Sequence, residues 1–139
     1  LFLCTGNSCR SQIAEGWAKK LGGDRFQVKS AGIESHGKNP LAIAVMQDVE
    51  VDISEQESNR LDQETLEWAD LVVTVCEHAD KNCPTLSQDT HKEHWLLSDP
   101  AKATGTEEEI IATFRSSRDD IQQRVSSLLE RLETQPIKN

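Results

Sequence analysis

Cys4, Arg10 and Ser11 follow the pattern Cys-x5-Arg-Ser directly after the apolar Leu1-Phe2-Leu3. A sulfur nucleophile, five residues and a guanidinium are the parts needed to hold a tetrahedral oxyanion against a thiolate. Thr5, Gly6, Asn7, Ser8 and Cys9 form the short loop between them, and its backbone N–H groups can turn inward as an anion nest. Ser11-Gln12-Ile13-Ala14-Glu15 reads as a helix start, whose free N–H groups and dipole also favour an anion. Arg10 adds a planar fork able to hold two oxygens at once. A thiol with the ordinary pKa of ~8.5 is only about 3% thiolate at neutral pH. The positive field of the loop is expected to lower the pKa of Cys4, with the Ser11 hydroxyl in support.

The chain has 139 residues and four cysteines, Cys4, Cys9, Cys76 and Cys83. One domain over residues 1–139 is expected, large enough to bury about two-thirds of its unfolded surface without a disulfide scaffold. The Cys-x4-Cys and Cys-x6-Cys spacings match no zinc ribbon or finger, and Arg10 would place positive charge beside a metal. Reactive or redox cysteines in a reducing cytoplasm are the remaining reading. A formal charge of −9 argues against a nucleic-acid partner, which needs a basic face. It also repels an anionic substrate overall, so attraction must come from the site around Arg10. No run approaches the ~18 apolar residues of a membrane span, and no signal peptide is visible. Because Leu1 falls inside what reads as a strand, a few residues are expected before it.

Apolar runs of strand length alternate with helical patterns, the signature of a parallel α/β sheet. Leu1–Leu3, 26–31, 71–75 and 94–97 read as strands. Ile13, Ala14, Trp17, Ala18 and Leu21 share a helical face that ends at Gly22-Gly23. Asn39-Pro40 opens a helix through about Val49, and a short helix spans Asp62–Trp68. Thr106 caps a long helix to about Glu133, with the stripe Ile110, Phe114, Ile121, Val125, Leu128 and Leu132; Gln135–Asn139 should fray. Cys4, Cys76 and Asp99 each follow a strand, and the C-terminal ends of parallel strands share one edge, where ligands bind. His36, His78, His91 and His94 have no nucleophile partner implied by spacing, so solvent or packing roles are expected.

Cys4 through Gln12, with Ser30-Ala31-Gly32-Ile33-Glu34, resembles the phosphate loop and its surroundings in the low-molecular-weight protein tyrosine phosphatases. With Cys76, Cys83, His94-Trp95 and Asp99-Pro100-Ala101 added, the chain is similar to the thioredoxin-coupled arsenate reductases built on that fold. The resemblance implies a three-layer α/β sandwich, a four-stranded parallel sheet with helices on both faces. It also implies reduction of arsenate to arsenite by a three-cysteine cascade, as in arsenic detoxification. A reductase must take two electrons from its own thiols, so it needs a resolving cysteine and a place to carry the disulfide. In the implied cascade Cys4 attacks arsenate held by the loop and Arg10 while Asp99 protonates the departing oxygen. Cys76 then attacks Cys4, and Cys83 attacks Cys76 to leave a redox-active Cys76–Cys83 disulfide for thioredoxin or, alternatively, glutaredoxin. Cys9 has no task in this scheme and is expected to pack behind the loop.

No organic cofactor is implied, and a monomer is expected. In the related reductases a potassium ion sits beside the loop, and Asn7, Glu15 and Ser30 match ligand positions. That pattern has an aspartate where this chain has Asn59, which keeps an oxygen but loses a charge. The competing function is a phosphatase acting on phosphotyrosine or a small phosphate ester. Against it, those enzymes usually carry an aromatic residue after the Asp-Pro pair, where this chain has Ala101. A noncatalytic anion- or thioredoxin-binding regulator would not require three cysteines together with Asp99.

Overall fold

Two strands that are almost wholly apolar lie at the centre of the sheet, as parallel strands covered on both faces must. These are β1 (Phe2–Cys4) and β3 (Leu71–Thr74), flanked by β2 (Ser30–Gly32) and β4 (His91–His94). The computed structural model describes residues 1–134, and its four parallel strands run in the order β2-β1-β3-β4. Helices α1 (Arg10–Gly22), α2 (Pro40–Gln47), α3 (Gln63–Trp68), α4 (Glu77–Lys81) and α5 (Glu107–Thr134) complete the α/β fold. Helices α1 and α5 pack along each other with α2 against both, while α4 lies against β1 and β3.

The edge strands depart from the sequence expectation. Of residues 26–31 only the end joins the ladder, in register Phe2↔Ser30 to Cys4↔Gly32. Phe26 and Val28 half-bury against the core without strand pairing. The fourth strand is His91–His94, not 94–97, and pairs residue for residue with Leu71–Thr74. Its side chains are mostly exposed and polar, so it leaves no apolar signature. Trp95 and Leu97 are buried just beyond it, where Trp95 meets Phe2 with ring centroids 5.7 Å apart. The apolar run therefore marked burial, whereas hydrogen-bond register set the strand.

Local signals placed the helices well. Asn39 accepts the Leu41 N–H at 2.9 Å, Asp62 accepts that of Thr65 at 2.7 Å, and Thr106 accepts that of Glu109 at 3.1 Å. Helix α1 stops at Gly22, and Gly23 takes a left-handed φ of 57°. Along α5, Phe114, Ile121, Val125 and Leu128 are buried as the stripe requires. Arg118 is buried on the same helix, with its guanidinium donating to Val45 O at 2.8 Å, and Trp17 Nε1 donates to Arg118 O at 3.1 Å. Gln135–Asn139 lie outside the described residues.

Candidate active site

The parallel sheet brings the ends of β1 and β3 and the stretch after β4 to one edge. Cys4 ends β1, the loop follows, and α1 begins at Arg10. The loop's carbonyls face outward: Cys4, Thr5, Gly6 and Ser8 accept the N–H groups of Ile33, Glu34, His36 and Asn39 at 2.8–3.0 Å. Because each peptide unit is planar and trans, the N–H groups that follow those carbonyls turn the other way, into the loop. Gly32 allows this close approach, since a Cβ there would collide with the backbone of Asn7 and Glu34. Asn7 takes a left-handed φ of 49° and is fully buried. Its Oδ1 accepts the Asn59 N–H at 2.7 Å, and its Nδ2 donates to Ser11 Oγ and Ser30 Oγ, both at 2.9 Å. Ser11 thus serves the loop scaffold through Asn7.

Arg10 is 8% exposed and donates from Nη1 to Leu97 O at 3.0 Å. Its Nη2 stands 3.7 Å from the Asp99 carboxylate. Its Nε is the one buried side-chain nitrogen or oxygen without a hydrogen-bond partner among the described residues. Leaving such a donor unsatisfied costs about 1–3 kcal/mol, so it is suited to an oxyanion. The α1 N-terminus beside it carries no side-chain cap. Cys9, at that terminus, is buried, and burial pushes its thiol up to about 12, with the Asp99 carboxylate adding to the shift.

Cys76 lies beside Cys4, and each thiol acts on the other's titration. The Cys76 sulfur, with burial, raises Cys4 well above the ordinary thiol range; Arg10 acts the other way. The same pairing lowers Cys76 to about 5 against the effect of burial, aided by the Thr5 hydroxyl, the Ala79 N–H and Arg10. The sequence expectation of a lowered Cys4 is therefore corrected. It counted the loop's positive field and not a second sulfur placed against the first. Cys76 caps α4, accepting the Ala79 N–H at 3.4 Å, and lies 3.1 Å from Thr5 Oγ1.

Cys83 lies past the C-cap of α4 and does not join this cluster. It is half-buried against the core, and burial raises its pKa while Lys92 acts against that. Asp80 ties α4 to its neighbours, receiving Lys92 Nζ at 2.8 Å and the Thr74 hydroxyl at 3.2 Å.

Three of the four histidines have specific roles that spacing did not reveal. His36 packs over Gly6 and pairs with Glu34 at 2.6 Å. His94 Nδ1 lies 2.8 Å from Thr74 Oγ1, and His78 Nδ1 lies 3.2 Å from Thr5 Oγ1. Except for the local His36–Glu34 pair, these contacts cross between elements far apart in sequence, so no local signal could have found them.

The oxygens proposed for potassium are already engaged. Ser30 donates to Glu15 Oε1 at 2.5 Å, Lys19 Nζ sits 2.5 Å from Glu15 Oε2, and Asn7 Oδ1 is taken by Asn59. Glu15 is thus neutralised by Lys19, and no buried oxygen of this set is left unpartnered. Folding does bring Asn7, Ser30 and Glu15 together, each hydrogen-bonded within the protein.

The chain belongs to the low molecular weight phosphotyrosine protein phosphatase family, whose model matches residues 1–138. Within it, the chain is 55% identical over 129 residues to an arsenate reductase of Halalkalibacterium halodurans, covering 93% of each. An arsenate reductase solved in a phosphate-binding state aligns with a TM-score of 0.76 at 34% identity, covering 94% of this chain and 95% of that one. A Corynebacterium glutamicum thioredoxin-dependent arsenate reductase aligns with a TM-score of 0.74 at 25% identity, over 96% of this chain and 60% of its own. The resemblance read from the residues holds.

Proposed function

We propose that the protein reduces arsenate to arsenite by a cascade through Cys4, Cys76 and Cys83, with thioredoxin restoring the thiols. The placing of Cys76 beside Cys4, its sulfur 3.1 Å from the Thr5 hydroxyl of the oxyanion loop, carries this reading. A phosphatase needs one sulfur there, whereas a reductase needs a second that can reach the first. The arsenate reductases among its relatives support the same conclusion.

The Cys4 thiolate attacks arsenate bound by the loop N–H groups and Arg10, and Asp99 gives a proton to the oxygen that leaves as water. Cys76 then attacks Cys4 Sγ. The new S–S bond forms as the S–As bond breaks, and its electron pair stays on arsenic, taking As(V) to As(III). Cys83 next attacks Cys76, freeing Cys4 and leaving the Cys76–Cys83 disulfide, which thiol–disulfide exchange with thioredoxin reduces. Among the described residues no helix is long and apolar enough to cross a membrane. A reducing cytoplasm is the compartment in which this cycle would turn over.

Arsenite formation from arsenate with purified thioredoxin, thioredoxin reductase and NADPH tests the proposal. Cys4→Ser should abolish it, because a serine hydroxyl is too weakly acidic to replace the thiolate. Cys76→Ser and Cys83→Ser should each lose multiple turnover. Full turnover in either variant overturns the cascade. Activity only with glutaredoxin would reassign the electron donor.

A further inference from the structure

Cys76 Sγ, Thr5 Oγ1 and His78 Nδ1 form a continuous line, with steps of 3.1 Å and 3.2 Å, from the buried sulfur pair to an exposed imidazole. We propose that His78 is a positioning residue that draws the proton from Cys76 through the Thr5 hydroxyl, so that Cys76 attacks Cys4 as a thiolate. The inference rests on the cascade proposed above.

The need for such a path follows from the paired sulfurs. Each sulfur must act as a thiolate in turn. When Cys4 attacks arsenate, the neighbouring Cys76 is placed to take up its proton. Cys76 must then lose that proton, and its side chain is buried. Its other partners are the Ala79 N–H, which can only donate, and the Thr5 hydroxyl, which can accept as well as donate. Thr5 holds only one proton of its own, so accepting another requires passing the first onward, and His78 Nδ1 is the acceptor within reach.

In the transfer, Cys76 Sγ–H gives its proton to Thr5 Oγ as Thr5 Oγ–H gives its own to His78 Nδ1. A Cys76 thiolate and a His78 imidazolium result, and Thr5 is unchanged. The thiolate makes the S–S bond, arsenic takes the electron pair of the broken S–As bond, and the exposed imidazolium returns its proton to water. Histidine suits the terminal position because it changes charge within the physiological range. Its backbone is fixed in α4, where the Asn82 N–H and Nδ2 both donate to His78 O, at 3.0 and 2.8 Å.

The test uses the full chain carrying Cys83→Ser, which stops after a single arsenite, and follows arsenite release in one turnover. Adding His78→Ala should slow release about tenfold or more, within the range of acid–base assistance, and free imidazole in the buffer should restore most of it. His78→Asn places an oxygen near the Nδ1 position but cannot take up a proton, so it should be as slow as His78→Ala. Because His78 is exposed, neither replacement touches the core. Equal rates in all three proteins, or a normal rate in His78→Asn, overturn the inference while leaving the cascade in place. No arsenite from the Cys83→Ser chain itself overturns the cascade and the inference with it.

Discussion

The Asp99 carboxylate stands 3.7 Å from the Arg10 guanidinium, while its Oδ1 accepts the Ala101 N–H at 3.0 Å. The second bond orients the side chain at the start of a short 3-10 turn, Pro100–Lys102. The first leaves it at the edge of the oxyanion site without tying it tightly to the arginine. Asp99→Asn keeps an acceptor for Ala101 but removes the acid. The first chemical step should slow by ~10²–10⁴-fold with oxyanion affinity largely kept. Single-turnover rates and an oxyanion titration measure the two separately. An unchanged rate would leave Asp99 only as a turn residue.

The lowered Cys76 thiol predicts a thiolate in the free protein at neutral pH. An acid held down at about 5 is charged above that value and neutral below it, so the thiolate ultraviolet absorbance should vanish as pH falls through about 5. Cys76→Ser should delete this transition. Thr5→Val, which removes one hydrogen bond to the sulfur, should move it upward. A sole transition in the ordinary thiol range of the unaltered protein would contradict the paired-sulfur arrangement.

Oxidation should unwind α4. A regular helix would hold residues seven apart on one face but ~10 Å apart along the axis, whereas a disulfide needs Cα atoms ~4.4–6.8 Å apart. Little apolar packing resists the change, since Ala79 is the buried residue of α4 and Asp80 supplies its main polar tether. Hydrogen exchange should show residues 77–90 losing protection once the Cys76–Cys83 bond has formed, with the loop and β1 unaltered. Asp80→Asn should loosen the segment in the reduced protein by no more than ~1 kcal/mol, the scale of a partly exposed ion pair. Equal protection in both redox forms would rule the switch out.

Replacing potassium by a bulky organic cation should leave the urea midpoint of the protein unchanged, because Lys19 already neutralises Glu15. Lys19→Met should cost roughly 1–3 kcal/mol, since Glu15 is buried and would lose a charged partner. A rise in stability on adding potassium to the unaltered protein would overturn this account of the cluster.

What the sequence by itself determined is chemistry that acts over a few residues. The Cys4–Ser11 loop, the caps at Asn39, Asp62 and Thr106, and the stop at Gly22-Gly23 depend on neighbours along the chain, so residue type and spacing suffice to place them. The central strands were legible because burial on both faces leaves a continuous apolar run. Tertiary structure decided the rest. Pairing with β3 put a polar segment, His91–His94, into the sheet, and no hydrophobic pattern could announce it. Folding set Cys76 against Cys4, reversing which thiol is lowered, and brought Lys19 and Asn59 onto the oxygens expected to hold potassium. Hydrogen bonds and charges act through distances in space, and those between Cys76 and Thr5 or Thr5 and His78 exist only once the parallel strands bring their ends to one edge.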